Sequence, residues 1–189
     1  MGAPVRGELF IVSGPSGSGK SSLCDALLKQ SPNLNLSISC TTREPRPGEA
    51  NGREYHFLSK TLFEAQRDDG NFLEWANVHG NFYGTRKSDV ETALEEGRDI
   101  LLEIDWQGAT QVAEKIPQAH RIFILPPSVE ALRQRLTSRG QDDDAVINRR
   151  VAAAESEMEH ADEAHFRIVN DQFDAALDQL KSVYMNNHS

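Results

Sequence analysis

At 189 residues, 38% hydrophobic and 26% charged, the chain has the proportions of one soluble globular domain and is too apolar to stay disordered. Its formal charge of −9 repels polyanions, so neither a nucleic acid polymer nor a membrane surface is expected as a partner, although a small phosphorylated ligand needs only a local cluster of donors. Cys24 and Cys40 have neither metal-ligand nor disulfide-framework spacing, and no signal-like start or bilayer-length apolar run is found, which together predict a soluble, cytoplasmic protein.

Residues 8–13 form a nearly continuous apolar run, as expected of a strand buried on both faces of a parallel sheet. A glycine-rich turn follows, and then Leu23, Ala26 and Leu27 recur at helical spacing within 20–30, a helix that Pro32 ends. The turn, Gly14, Pro15, Ser16, Gly17, Ser18, Gly19, Lys20 and Ser21, matches G-x-x-x-x-G-K-[ST] at every specified position and lies between strand and helix, the context that identifies a phosphate loop. Its glycines let backbone N–H groups converge on a triphosphate, and the helix N-terminus adds positive charge. Lys20 then reaches the β and γ phosphates, Ser21 offers its hydroxyl directly to magnesium, and Ser22 lies beside it. Nucleoside triphosphate binding follows. The destination of the phosphoryl group does not, because GTPases, ATP-driven motors and small-molecule kinases share this loop.

Residues 37–86 are rich in glycine, proline, aromatic and charged residues with short alternating runs, which predicts a small inserted lobe with strands of its own. Ser88 and Glu91 make a capping box for a helix whose apolar face is Val90, Ala93 and Leu94 and which Gly97 closes. Residues 99–104 and 121–125 read as strands; Pro126, Pro127 and Ser128 end the second and open a helix carrying Val129, Ala131, Leu132 and Leu136. Residues 133–163 are almost wholly polar and helical, broken at Gly140 and at Asp142, Asp143 and Asp144, which predicts a mobile hairpin rather than core. A fourth strand is expected over 166–169. Strands interleaved with helices give an α/β fold, a mostly parallel sheet flanked by helices with right-handed crossovers.

The run Ser39, Cys40, Thr41, Thr42, Arg43, Glu44, Pro45, Arg46, Pro47, Gly48, Glu49 resembles the S-x-T-T-R-x-P-R-x-G-E signature of guanylate kinases. The similarity continues, in the family's order, through 51–55, 72–76, 80–85, 103–108 and 124–128. The resemblance implies the P-loop nucleoside monophosphate kinase fold: a core of 1–36, 87–126 and 163–189, a GMP-binding lobe at 37–86 and a helical lid at 127–162. It implies transfer of the γ-phosphoryl group of ATP to GMP, and also to dGMP, giving ADP and GDP in purine nucleotide metabolism, with Mg2+ bound alongside ATP. By the same resemblance Arg43, Arg46, Tyr55 and Tyr83 hold the GMP phosphate and Ser39 and Thr85 complete the recognition of guanine. Arg135 and Asn170 serve the ATP side, while Arg43, Arg139 and Arg150 join Lys20 as catalytic charges. The family usually has Asp-Ile-Asp where this chain has Glu103, Ile104 and Asp105. Asp105 is expected on guanine or on a magnesium-bound water, and its division of labour with Glu103 is open.

The residue types suit these tasks whatever the family. Two arginines three apart, with two phenols, form charge-assisted hydrogen bonds to a phosphate monoester dianion. Glu74 lies beside Trp75 in an otherwise apolar patch, where a lone carboxylate is costly unless it meets donors. Guanine presents N1–H and N2–H₂ side by side, whereas adenine has an acceptor at N1. A site built around Glu74 therefore rejects adenine by roughly 10⁴ to 10⁵-fold. The acceptor oxygen already belongs to an anionic phosphate, so catalysis needs alignment and charge neutralisation rather than a base. Two other readings stay open. An interaction domain of scaffold type is disfavoured by the intact phosphate loop, and a P-loop kinase with another acceptor is disfavoured by Glu74.

Overall fold

The computed structural model describes residues 5–78, 80–138, 140 and 143–188. The chain begins with β1 (Leu9–Ser13), α1 (Lys20–Gln30) and β2 (Leu34–Leu36). It continues through β3 (Cys40–Thr41), β4 (His56–Phe57), α2 (Lys60–Asp68), β5 (Phe72–Val78), β6 (Asn81–Arg86) and α3 (Lys87–Glu95). Then come β7 (Asp99–Glu103), α4 (Trp106–Lys115), β8 (His120–Leu125), α5 (Val129–Ser138) and α6 (Asp144–Met158). A 3₁₀ turn (Glu159–Glu163), β9 (Phe166–Val169) and α7 (Phe173–Asn187) complete it.

Every residue of β1 is buried, and alternate side chains leave it toward opposite layers. Phe10 and Val12 pack with Leu23, Leu27, Leu177 and Leu180 of α1 and α7. Leu9 and Ile11 pack with Val90, Leu94 and Val112 of α3 and α4 on the other face. This two-sided burial is why the strand reads as a continuous apolar run. The five-stranded sheet has the order β2-β7-β1-β8-β9, and every pairing in it is parallel. The chain therefore leaves β1 between β7 and β8, the kind of crevice at the carboxyl ends of strands where ligands collect. At the opposite end, buried Asp99 ties β7 to its neighbours by accepting from the Glu8 N–H and the Tyr184 hydroxyl, each at 2.8 Å.

Residues 37–86 carry a second sheet, order β4-β3-β6-β5, with its own small core of Cys40, Phe63 and Phe72. Helix α2 and strand β2 were not legible in the residue pattern. Both cysteines are free and buried, and burial raises both thiols, that of Cys40 to about 11. Neither forms a thiolate at neutral pH.

Two expectations are corrected. The capping box at Ser88 does not form: α3 begins at Lys87 with Arg86 as N-cap and no side-chain cap, and Ser88 sits inside the first turn. Strand β6 runs directly into the helix, so the backbone has no room for the expected cap. The stretch 133–163 is also more than a polar hairpin. Leu132 and Leu136 of α5 enclose a core with Ile147, Val151 and Ala154 of α6, spaced i, i+4, i+7 and diluted by polar neighbours. Ser128 does cap α5, its Oγ accepting from the Ala131 N–H at 3.0 Å. Gly97, at φ 79, closes α3 as expected.

Candidate active site

The phosphate loop leaves β1 at Gly14, whose φ of 146 suits only glycine and where a Cβ would stand 2.3 Å from the Ile124 carbonyl oxygen. Gly19 enters α1 in the left-handed region with no side-chain cap, so the first N–H groups of the helix keep their donors for an anion. A Cβ there would meet the Asn170 amide nitrogen at 2.2 Å. Buried Asn170 donates that amide to the Ser18 carbonyl at 2.8 Å, and its own carbonyl accepts from Arg135 at 2.7 Å. The side chain of Asn170 is thus engaged with the loop itself.

Lys20 spans the loop to the Gly14 carbonyl at 2.9 Å. The Ser21 hydroxyl donates to Glu103, the last residue of β7. Arg150 reaches in from α6 to donate to Ser16 Oγ at 3.0 Å. Together the loop residues Gly14 to Gly17 and Gly19 to Ser22 line a hollow of about 330 Å3 that Asp105 and Glu157 close, while Ser18, also expected there, is fully buried. Glu157 was not singled out by sequence, where it is one acid in an acidic helix. Half-buried, its carboxyl is raised mainly by that burial, with Lys20 pulling the other way.

Across the cleft, Ser39, Tyr55, Glu74, Tyr83 and Asp105 share a cavity of about 500 Å3 with Lys20 and Ser16. Glu74 projects from β5 opposite Thr85 of β6 and is 4% exposed. Burial is the chief reason that its carboxyl is pushed up to about 7, with nearby Asp105 adding to the rise. The Thr85 hydroxyl, donating to Glu74 Oε1 at 2.7 Å, and Lys115 oppose it. Thr85 itself is fully buried, so its proton serves Glu74 rather than the open cavity.

The Tyr55 and Tyr83 rings meet edge to face at 5.9 Å, and the Arg43 guanidinium lies 5.4 Å from the Tyr55 ring centre. Arg43 is held by Glu49 at 2.9 and 3.0 Å and by the Glu44 carbonyl at 2.8 Å. That arrangement raises the arginine and lowers Glu49. Arg46 is exposed and is fixed through its backbone, its N–H donating to the Glu49 carboxylate at 2.7 Å and its carbonyl accepting from the Glu49 N–H at 3.0 Å. Asp105 caps α4 by accepting from the Gly108 N–H at 2.8 Å while lining both cavities. Of the expected site residues, Arg43, Arg46 and Thr85 lie beside or behind the acceptor cavity rather than in its wall, and Arg139 lies outside the described residues.

A parallel sheet with its phosphate loop after the central strand, a second sheet inserted across the cleft and a helical pair over the loop is the plan of a P-loop nucleoside monophosphate kinase. Comparison with known proteins narrows it. The family profile described as guanylate kinase matches residues 6–187. A guanylate kinase of Cupriavidus metallidurans is 58% identical over 177 residues, 94% of this chain and 82% of the relative. One of Dechloromonas aromatica is 57% identical over 179 residues, covering 95% and 89%. The crystal structure of guanylate kinase from Anaplasma phagocytophilum superposes with a TM-score of 0.78 at 32% identity, over 97% of this chain and 87% of that one. The chain belongs to the guanylate kinase family.

Proposed function

We propose that this enzyme transfers the γ-phosphoryl group of ATP to GMP, and that buried Glu74 is the observation that carries the choice of acceptor. A carboxylate that is 4% exposed, lines the cavity and is held on one oxygen by the Thr85 hydroxyl can turn its other oxygen to a donor edge. The N1–H and N2–H₂ of guanine supply one; adenine would leave the carboxylate unpaired. Thr85 holds Glu74, while Ser39 and Asp105 in the cavity wall face the rest of the base.

Tyr55, Tyr83, Arg43 and Arg46 receive the GMP phosphate, with Arg43 turned toward the phenols by Glu49. On the donor side the loop from Gly14 to Ser22 cradles the ATP phosphates, and Arg135 and Asn170 brace it toward the adenine. A GMP phosphate oxygen attacks the γ-phosphorus, and the bond to the β,γ-bridging oxygen breaks, so that ADP leaves. Lys20, Arg43, Arg139 and Arg150 neutralise the charge that this transfer spreads over the phosphoryl oxygens.

Oxygen donors suit Mg2+, which keeps several waters and accepts one or two protein ligands plus phosphate oxygens. The Ser21 hydroxyl would be its direct ligand and Asp105 would hold it through water, with the Ser21–Glu103 hydrogen bond marking the same place. Among the described residues no cluster of three or more acidic, histidine or cysteine side chains could hold a metal, which fits an ion that arrives with ATP. Such an ion would supply charge neutralisation at the ATP phosphates.

We assign 1–36, 87–126 and 163–189 to the core, 37–86 to the GMP lobe and 127–162 to the lid. The separate apolar clusters at Phe63 and Phe72 and at Leu132, Leu136 and Ile147 support that division. None of the proposed acceptor contacts reads the ribose 2′-hydroxyl, so dGMP is also a substrate. Among the described residues no helix is long and apolar enough to cross a membrane. A cytoplasmic role in purine nucleotide metabolism, with small nucleotides rather than nucleic acids or membranes as partners, fits that and the net charge of −9. ADP release measured with GMP, dGMP, AMP, CMP and UMP tests the reading: GMP and dGMP turn over, and equal rates with AMP would refute it.

A further inference from the structure

Strand β5, which carries Glu74, is the edge of its sheet, so one row of its backbone groups has no strand partner. Helix α4 supplies one. The Gln111 side-chain amide closes both groups of Trp75: its Oε1 accepts from the Trp75 N–H at 3.1 Å, and its Nε2 donates to the Trp75 carbonyl at 3.0 Å. One turn on, the Lys115 ammonium donates to the Phe72 carbonyl at 3.2 Å and the Leu73 carbonyl at 2.5 Å. Those carbonyls lie where the β5–β6 register slips between Phe72 and Glu74, immediately before the carboxylate.

Gly108, one turn earlier, completes the same helix face, since 108, 111 and 115 follow helical spacing. A Cβ at Gly108 would stand 2.7 Å from Glu74 Oε2 and 3.2 Å from Asp105 Oδ1. The helix thus touches Glu74 itself, the backbone on both sides of it, and Asp105 at its own cap. No strand neighbour performs this task, and Gln111 suits it: a planar amide presents an acceptor and a donor side by side to the two groups of a single residue.

We infer that α4 is the template that aims the base reader, with Gln111 acting as a positioning residue through the Trp75 backbone and Gly108 leaving the space that Glu74 occupies. This rests on Glu74 reading guanine. A side chain held at both flanks and against a helix has few orientations, so the cost of ordering it on GMP binding is already met. Loosening the strand should therefore weaken GMP selectively, leaving the phosphate loop and its ATP affinity alone.

The test compares Gln111→Leu, Gln111→Glu and Gly108→Ala with Glu74→Gln, reading KM for GMP, KM for ATP, kcat and the GMP/AMP ratio of kcat/KM. Gln111→Leu should raise KM for GMP about tenfold and shrink the GMP/AMP ratio by a similar factor, with KM for ATP and kcat within about twofold. Gln111→Glu, which keeps the acceptor for the Trp75 N–H, should fall between, and Gly108→Ala should match or exceed Gln111→Leu. A merely structural role would lower the active fraction, and so kcat, without moving KM. GMP constants within twofold of wild type in the Gln111 and Gly108 variants, or equal losses for GMP and ATP, would overturn the inference, provided Glu74→Gln weakens GMP. A silent Glu74→Gln would overturn the reading of the base site, and the role of α4 with it.

Discussion

Lowering the pH should weaken GMP far more than ATP, because the carboxyl of Glu74 is raised to about 7 in the free enzyme. Pairing with guanine donors favours the ionised form, so GMP lowers that value and binding strengthens as pH rises through it. Between about pH 8 and pH 6 the ionised fraction of free Glu74 falls about tenfold, equivalent to ~1.4 kcal/mol of GMP affinity. The GMP phosphate, with a second pKa of about 6, contributes about another twofold. Initial rates over that range at saturating ATP should show KM for GMP rising about twentyfold in wild type. In Glu74→Gln, where only the phosphate titrates, the rise should be about twofold. Superimposable wild-type and variant profiles would refute the assignment of Glu74 as the ionising base reader.

Lys20→Ala should cost about 10² to 10³ in kcat, the usual loss when one donor to a developing anionic charge is removed, read from initial rates at saturating ATP and GMP. Glu74→Gln should alter stability with a definite sign. The folded chain holds a proton between the ordinary carboxyl value of 4.5 and about 7 that the unfolded chain has released, so wild type loses stability as pH rises across that window. The variant does not, and the gap in urea denaturation between about pH 4 and pH 8 should be on the order of 3 kcal/mol. Tyr184→Phe removes a hydrogen bond from buried Asp99 at the end of the sheet remote from the cleft. It should cost about 1–3 kcal/mol in unfolding free energy while leaving kcat unchanged.

The most legible parts were those where local chemistry and tertiary role coincide. The phosphate loop is written in contiguous residues because backbone geometry, helix start and lysine must all follow one strand. The four predicted core strands appear within a residue of their expected ends, since burial on both faces leaves a continuous apolar run. Strand β2 has only three residues and its burial fades along its length, so no run betrays it. The lid core was hidden for a related reason: Ile147, Val151 and Ala154 make a narrow stripe that arginines and glutamates outnumber. Gln111 and Lys115 could not be found at all. Their partners are backbone groups 36 and 42 or 43 positions away, and a side chain that serves a strand edge leaves no pattern in its own helix.

The charge arrangement in the cleft bears on how a kinase avoids wasting ATP. Ser16, Lys20 and Asp105 line both cavities, so the two cavities share one ammonium, with the carboxylates of Asp105, Glu103 and Glu157 around it. Three guanidinium groups near the cavities are held by protein partners: Arg150 on Ser16, Arg135 on the Asn170 backbone carbonyl and Arg43 on Glu49. Each belongs to the lobe or the α5–α6 pair rather than to the sheet. On the proposed reading, full compensation would require both flanking units to close on their substrates. On that reading, water entering the acceptor cavity would bring neither the guanine edge proposed to pair with Glu74 nor the anionic charge that would draw Arg43 inward. Hydrolysis would then meet an open, under-neutralised site, whereas GMP would assemble the site that its own phosphorylation needs.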